Sequence, residues 1–201
     1  MDRSIKFNIG ILALQGAFKL HQVMFEEIAL DYAKHDIAIT TKLVLKDIDL
    51  ENIDAIVVPG GESTVLNKHL ERSGLGKLLF EKINSGLFAF GTCAGLILLS
   101  QDKKILNCEI QRNAYGTQKD SFMATVDLIP TNEKIEVAFI RAPKIISISK
   151  DVNAIVKYKD KIVGVQSQSA IGVTFHNEVT NDSALHRFFV DTLIKRLACT
   201  Q

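Results

Sequence analysis

Three short, nearly continuous apolar runs stand in the first hundred residues: FNIGILAL (7–14), DAIVVPGG (54–61) and LFAFG (87–91). Each is too short for a buried helix, and two of them end in glycine. A strand that is apolar on successive residues has no wet face, so it belongs inside a parallel sheet covered on both sides. The segments between the runs supply the covers. GAFKLHQVMFEEIALDYAKH (16–35) spaces Leu20, Met24 and Ile28 four apart, which predicts one buried helical face. STVLNKHLERSG (63–74) and LGKLLFEKINSG (75–86) both close on glycine, as helices do. IAITTKLVL (37–45) reads as a further strand. The β-α-β-α order predicts an α/β fold with helices on both faces of a parallel sheet.

The pattern changes after about residue 105. MATVDLI (123–129), EVAFIRAP (136–143), KIISIS (144–149), AIVKYK (154–159), KIVGVQS (161–167) and AIGVTFH (170–176) are short, strand-like and separated by turn residues. They predict added strands, some antiparallel. DSALHRFFVDTLIKRLAC (182–199) opens on an Asp/Ser cap signal and spaces Leu185, Phe189 and Leu193 at four, predicting a terminal helix docked on the sheet. There is no internal repeat or linker, and 201 residues with 47% hydrophobic content suit one domain spanning 1–201.

Charge excludes little but directs expectation. Lys+Arg 24 against Asp+Glu 23 leaves +1, which gives no broad electrostatic reason to expect nucleic acid or an anionic membrane as partner. No apolar run approaches the length of a membrane span. The opening run reads as a buried strand and not as a signal peptide. Three scattered cysteines without a CxxC pair suit a reduced, cytoplasmic compartment.

One of those cysteines has a distinctive setting. The strand Leu87–Phe90 runs into Gly91-Thr92-Cys93-Ala94-Gly95, and a helical pattern, AGLILLSQ, follows. Gly-x-nucleophile-x-Gly between strand and helix is the pattern of a nucleophile elbow, where a Cβ at either glycine would crowd the turn. The amide of Ala94 then points to where an oxyanion would form. The bland alternative is a buried core cysteine in a glycine turn, and that reading suits Cys108 and Cys199.

A nucleophilic cysteine needs a base, and the base an orienting acceptor. His21, His35 and His69 lie among charged residues in helical patterns, which predicts solvated faces; His186 lies in the last helix. His176 differs, because it follows a strand directly and Glu178 stands two residues on. In extended chain the two side chains share one side, so Glu178 can accept from one imidazole nitrogen while the other faces the thiol. Pro59–Thr64, PGGEST, offers backbone N–H groups to a ligand; it is equally explained as a turn whose Ser63 or Thr64 caps the next helix.

Taken together, LALQGA (12–17), PGGEST (59–64), FGTCAGLILL (90–99), RNAYG (112–116), DSF (120–122), FIRAP (139–143) and FHNEVT (175–180) resemble, in order, the glutaminase subunits of pyridoxal 5′-phosphate synthase, a group of class I glutamine amidotransferases. The resemblance implies a flavodoxin-like three-layer sandwich. It implies a Cys93–His176–Glu178 triad, an oxyanion hole from the amides of Gly61 and Ala94, and glutamine recognition by Gly60, Gly61, Glu62, Ser63, Arg112, Ile140 and Arg141. Gln15 would organise the oxyanion hole beside the partner interface. Cys93 would attack the side-chain amide of L-glutamine, and the ammonia would pass to a synthase subunit in a ring-shaped complex. No cofactor or metal is implied. Two positions depart from the usual pattern: Asn177 replaces a proline between His176 and Glu178, and Thr117 replaces an arginine. A catalytically weakened scaffold subunit and a DJ-1/PfpI-like elbow-cysteine protein are the alternative readings.

Overall fold

The computed structural model describes residues 5–102, 105–112 and 121–199. Its framework is a nine-stranded sheet in the order β2-β1-β3-β4-β11-β10-β9-β6-β7. The strands β1 (Ile5–Leu12), β2 (Ile37–Val44), β3 (Ala55–Val58), β4 (Phe88–Thr92) and β11 (Ala170–Val173) pair in parallel. Their order, with β11 as the fifth, is the 2-1-3-4-5 order of flavodoxin-like folds. The sheet continues antiparallel through β10 (Lys161–Gln166), β9 (Asn153–Tyr158), β6 (Phe122–Leu128) and β7 (Glu133–Phe139). A separate hairpin pairs β5 (Cys108–Gln111) with β8 (Lys144–Ile148). The sequence reading passed over β5, whose Cys-Glu-Ile-Gln is too short and too polar to signal a strand.

The apolar runs form central strands because both faces are covered. Along β3, Ala55 and Val57 pack into one core cluster, while Ile56 and Val58 pack into the other. The first cluster is closed by α1 (Phe18–Ala33) and α5 (Ala184–Ala198) through Phe25, Ile28, Leu185, Phe189 and Leu193. The second is closed by α2 (Ser63–Ser73), α3 (Leu75–Asn84) and α4 (Ala94–Ile97), which runs on into a π turn. Gly74 ends α2 in the left-handed conformation (φ 75°), as its position predicted. Ser183 stands at the cap position of α5 but makes no side-chain cap bond; the Asp182 carboxylate, one residue earlier, accepts the N–H of Ala184 at 3.0 Å instead.

Two expectations fail on α1. Leu20 is exposed, and the buried stripe is His21, Met24, Phe25 and Ile28. Met24 and Ile28 are buried as expected, but His21 and Phe25 complete the face in place of Leu20, and a histidine enters the core where a solvated one was expected. His35 and His69 do lie on the surface.

Candidate active site

The carboxyl ends of the parallel strands gather the chemistry, as open α/β sheets require. β1 leads to Gln15 and Gly16, β3 to Gly60 and Gly61, β4 to Cys93, and β11 to His176. Cys93 has φ 46° and ψ −98°, a conformation that an L side chain rarely adopts. The turn is held by the N–H of Cys93 donating to the carbonyl of Val173 at 2.9 Å. Both flanking glycines are demanded by space. A Cβ on Gly91 would stand 2.7 Å from the carbonyl carbon of Gly95, and one on Gly95 would stand 2.0 Å from the carbonyl oxygen of Val58.

His176 faces the sulfur. Its backbone exchanges two hydrogen bonds with Ala138 (2.8 and 3.0 Å), its Nδ1 lies 2.7 Å from Oε1 of Glu178, and its ring lines the same cleft as Cys93, whose sulfur acts on its titration. The backbone from 177 to 178 is a bend entering a turn, not extended chain, so Glu178 arrives by turning back toward the ring. Thr180 braces that turn, its hydroxyl donating to the carbonyl of Asn177 at 2.8 Å. Asn177 is buried, its amide nitrogen 2.8 Å from Nδ1 of His186.

Burial alone would lower the His176 pKa, but the hydrogen bonds to Cys93 and Glu178 and the carboxylate's charge carry it up to about 10. Burial alone would raise Glu178; the charge that His21 carries only when protonated, with the hydrogen bond and charge of His176, holds the carboxyl below its ordinary value.

The oxyanion side is built from the loop after β3. The N–H of Gly60 donates to Oγ1 of Thr92 at 2.9 Å, which leaves Gly61 as that loop's next candidate donor. The Gln15 amide clamps the adjoining residue at both ends: Oε1 accepts the N–H of Glu62 and Nε2 donates to its carbonyl, each at 3.3 Å. The cleft in front holds about 300 Å³ and is lined by Cys93, His176, Gly60, Gly61, Arg112 and Arg141, among others. Arg112 donates to the hydroxyls of Ser63 and Thr64, so those side chains serve the arginine, and neither caps α2 as the turn reading expected. Arg141 pairs with Glu62 at 3.3 Å, and the carbonyl of Ile140 lies 3.9 Å from the Cys93 sulfur. The rest of RNAYG, with Thr117 and Asp120, lies outside the described residues. A larger hollow of about 670 Å³ around Asp182, Arg187 and Asp191 holds neither cysteine nor histidine.

Behind Cys93, His176 and Glu178 lie two groups that sequence reading missed. His21 and His186 are both fully buried, and burial, the first cause in each, lowers both pKa values. Such bases stay neutral in the folded protein while the unfolded chain takes up protons below about pH 6.5. Stability is therefore expected to fall as pH drops below 6.5, by up to about 1.4 kcal/mol per pH unit for each ring. His176 works in the opposite sense: its contribution is complete below pH 6.5 and is lost as pH rises toward 10. Denaturant unfolding at several pH values between 5 and 8 checks this; a flat profile between 5.5 and 6.5 would contradict it.

A cysteine elbow and a buried His-Glu pair at the carboxyl edge of a flavodoxin-like sheet define a protein of the glutamine amidotransferase class. Residues 11–195 match the SNO glutamine amidotransferase family, and the chain belongs to it. It is 41% identical over 189 residues to the pyridoxal 5′-phosphate synthase subunit PdxT of Methanosphaera stadtmanae, covering 90% of this chain and 94% of that one. It is 33% identical over 195 residues to the PdxT subunit of Thermosipho africanus, covering 93% and 99%. Among solved structures, one described as a glutamine amidotransferase superposes with a TM-score of 0.81 at 31% identity, covering 92% of this chain and 98% of that one. PurLQS from Thermotoga maritima, at 16% identity and a TM-score of 0.62 over 87% and 88% of the two chains, shares the fold.

Proposed function

We propose that this chain hydrolyses L-glutamine to glutamate and ammonia and passes the ammonia to a pyridoxal 5′-phosphate synthase subunit. The observation that carries the reading is a cysteine on a strained turn, sharing a cleft with an imidazole that a buried carboxylate holds from behind at 2.7 Å. The attacking species is the thiolate, and the His176 imidazolium is its counter-charge. The sulfur attacks the side-chain amide carbon, and the oxyanion forms against the amides of Gly61 and Ala94. His176 gives its proton to the leaving nitrogen, ammonia departs, and a glutamyl thioester remains. His176 then takes a proton from water, hydroxide attacks the thioester, and glutamate leaves as the thiol is restored. Gly60, Gly61, Glu62, Ser63, Arg112, Ile140 and Arg141 line the glutamine site. A guanidinium suits the substrate's α-carboxylate, and Arg141 would exchange its Glu62 partner for it.

The partner reading has its own support. Leu20, Val23 and Leu30 are exposed at helical spacing on α1, directly after the Gln15 loop. An apolar stripe beside the oxyanion loop fits a docking surface for the synthase subunit, in a ring of synthase subunits carrying glutaminases. Bracing of Asn177 in a buried turn argues against a weakened scaffold. No helix among the described residues is long and apolar enough to cross a membrane.

The test is glutamate release from glutamine by the chain mixed with a synthase subunit. Robust release is expected, and Glu178→Gln should lower kcat by about 100-fold. No release in the presence of the partner would overturn the reading.

A further inference from the structure

Behind Glu178 a chain of side chains crosses the core. Nδ1 of His21, on α1, lies 2.9 Å from Nε2 of His186, on α5. Nδ1 of His186 lies 2.8 Å from the amide of Asn177. Nε2 of His21 lies 3.3 Å from Oγ1 of Thr92 and 3.7 Å from Oε1 of Glu178, the same oxygen that meets His176. The two rings are gripped edge-on by Phe25 and Phe90, with centroid separations of 4.8 to 5.9 Å. Two polar rings in an apolar core cost stability unless they are hydrogen-bonded, and a bland core histidine does not need two neighbours to complete its pairing.

We propose that His21 is a positioning residue for Glu178, and that His186 and Asn177 fix which of its ring nitrogens carries the hydrogen. The proposal deepens the glutaminase reading and rests on it for its effect on rate, but not for the ring geometry.

Electrostatics sets the direction of the hydrogens. One hydrogen fits between two neutral rings 2.9 Å apart. If the His21 hydrogen sat on Nδ1, the lone pair of Nε2 would face the Glu178 carboxylate. If the amide N–H of Asn177 donates to His186 Nδ1, then His186 Nε2–H donates to His21 Nδ1, and His21 Nε2–H points at Thr92 and Glu178. Every hydrogen then runs toward the anion. The titratable groups facing the pair are Glu178 and His176, from the turn after β11. β4 contributes the neutral hydroxyl of Thr92. Burial keeps both rings neutral, so the pair offers a fixed dipole and no competing cation. Thr92 also accepts the N–H of Gly60, so the N–H of His21 on that hydroxyl steadies the loop that carries Gly61, with its dipole directed toward the Glu178 carboxylate 3.7 Å away. Asn177, which stands where a proline is usual, thereby gains a role at the head of the chain.

The rings report on this without any substitution. Long-range ¹⁵N–¹H spectra of the histidine-labelled chain should show both His21 and His186 as neutral Nε2–H tautomers from pH 8 to pH 6. A hydrogen on Nδ1 of either ring, or protonation of either near pH 6.5, overturns the proposal. In the complex with the synthase subunit, His21→Leu should lower kcat about tenfold with KM little changed, the scale of effect that outer partners of reactive groups have. It should also lower the His176 titration point, and His21→Gln, which keeps an N–H, should recover part of both. Unchanged kcat and unchanged His176 titration in a folded His21→Leu chain would also sink it. If the natural chain released no glutamate while the rings showed these tautomers, the glutaminase reading would fail and the geometry of the pair would stand.

Discussion

Cys93→Ala and Cys93→Gly should both lose glutamine hydrolysis by about 10⁴-fold or more, because nothing else in the cleft replaces the sulfur nucleophile. The two variants should differ in stability, and the difference measures the elbow. At φ 46° and ψ −98° any residue with a Cβ is strained, and alanine keeps that strain while glycine releases it. Strain of this kind is worth about 1–3 kcal/mol, and the greater freedom of glycine in the unfolded chain returns about 0.4–1 kcal/mol of it. The glycine protein should therefore be the more stable of the two by roughly 1 kcal/mol, read as a higher denaturant midpoint. Equal midpoints would mean that the turn is not strained. Both variants also remove the sulfur that helps to hold His176 up, so the histidine should titrate below its value of about 10.

The parts of this site that were legible in the sequence are those whose geometry is set within a few residues. Gly91-x-Cys93-x-Gly95 announces its own turn, and His176 and Glu178 are close enough for any compact path between them to join the pair. The apolar runs of β1, β3 and β4 were legible because strands covered on both faces lose their polar alternation. What escaped depends on contacts between distant segments. His21 and His186 are 165 positions apart and lie in helices with charged neighbours, so each alone reads as a surface residue. Leu20 conceals the signal further, since at four-residue spacing from Met24 it looks like core and is exposed, while His21 beside it is buried. Arg112 and Ser63 are separated by 49 positions, and a hydroxyl at a helix start is ordinarily taken for a cap. Gly60 was legible as part of a ligand-facing turn, yet the spatial constraint on it comes from a ring more than a hundred residues later.

That constraint yields the other large effect. A Cβ built on Gly60 would lie 2.2 Å from Cε1, 2.8 Å from Nδ1 and 3.1 Å from Nε2 of His176. Its backbone does not have the positive φ of Gly16, Gly61, Gly74 or Gly86, so alanine fits the chain conformation and fails only on space. The ring has little freedom to give way. Its backbone is tied to Ala138 by two hydrogen bonds, one face of its chemistry is committed to Glu178 at 2.7 Å, and the other to the sulfur. Moving the imidazole clear of a methyl group must break one of these contacts. Gly60→Ala is therefore expected to lower kcat/KM by about 100-fold or more, the scale attached to a misplacement of about 1 Å in a reacting group, while the protein remains folded. Gly74→Ala is the matching control. Nothing lies within 4 Å of a Cβ there, but φ is 75°, so it should cost about 1 kcal/mol of stability and leave activity alone. Steady-state kinetics beside denaturant unfolding separates the two outcomes. A Gly60→Ala protein with native kcat/KM would mean that the ring does not stand against Gly60 in the working enzyme, and the proposed alignment of sulfur, imidazole and carboxylate would have to be redrawn.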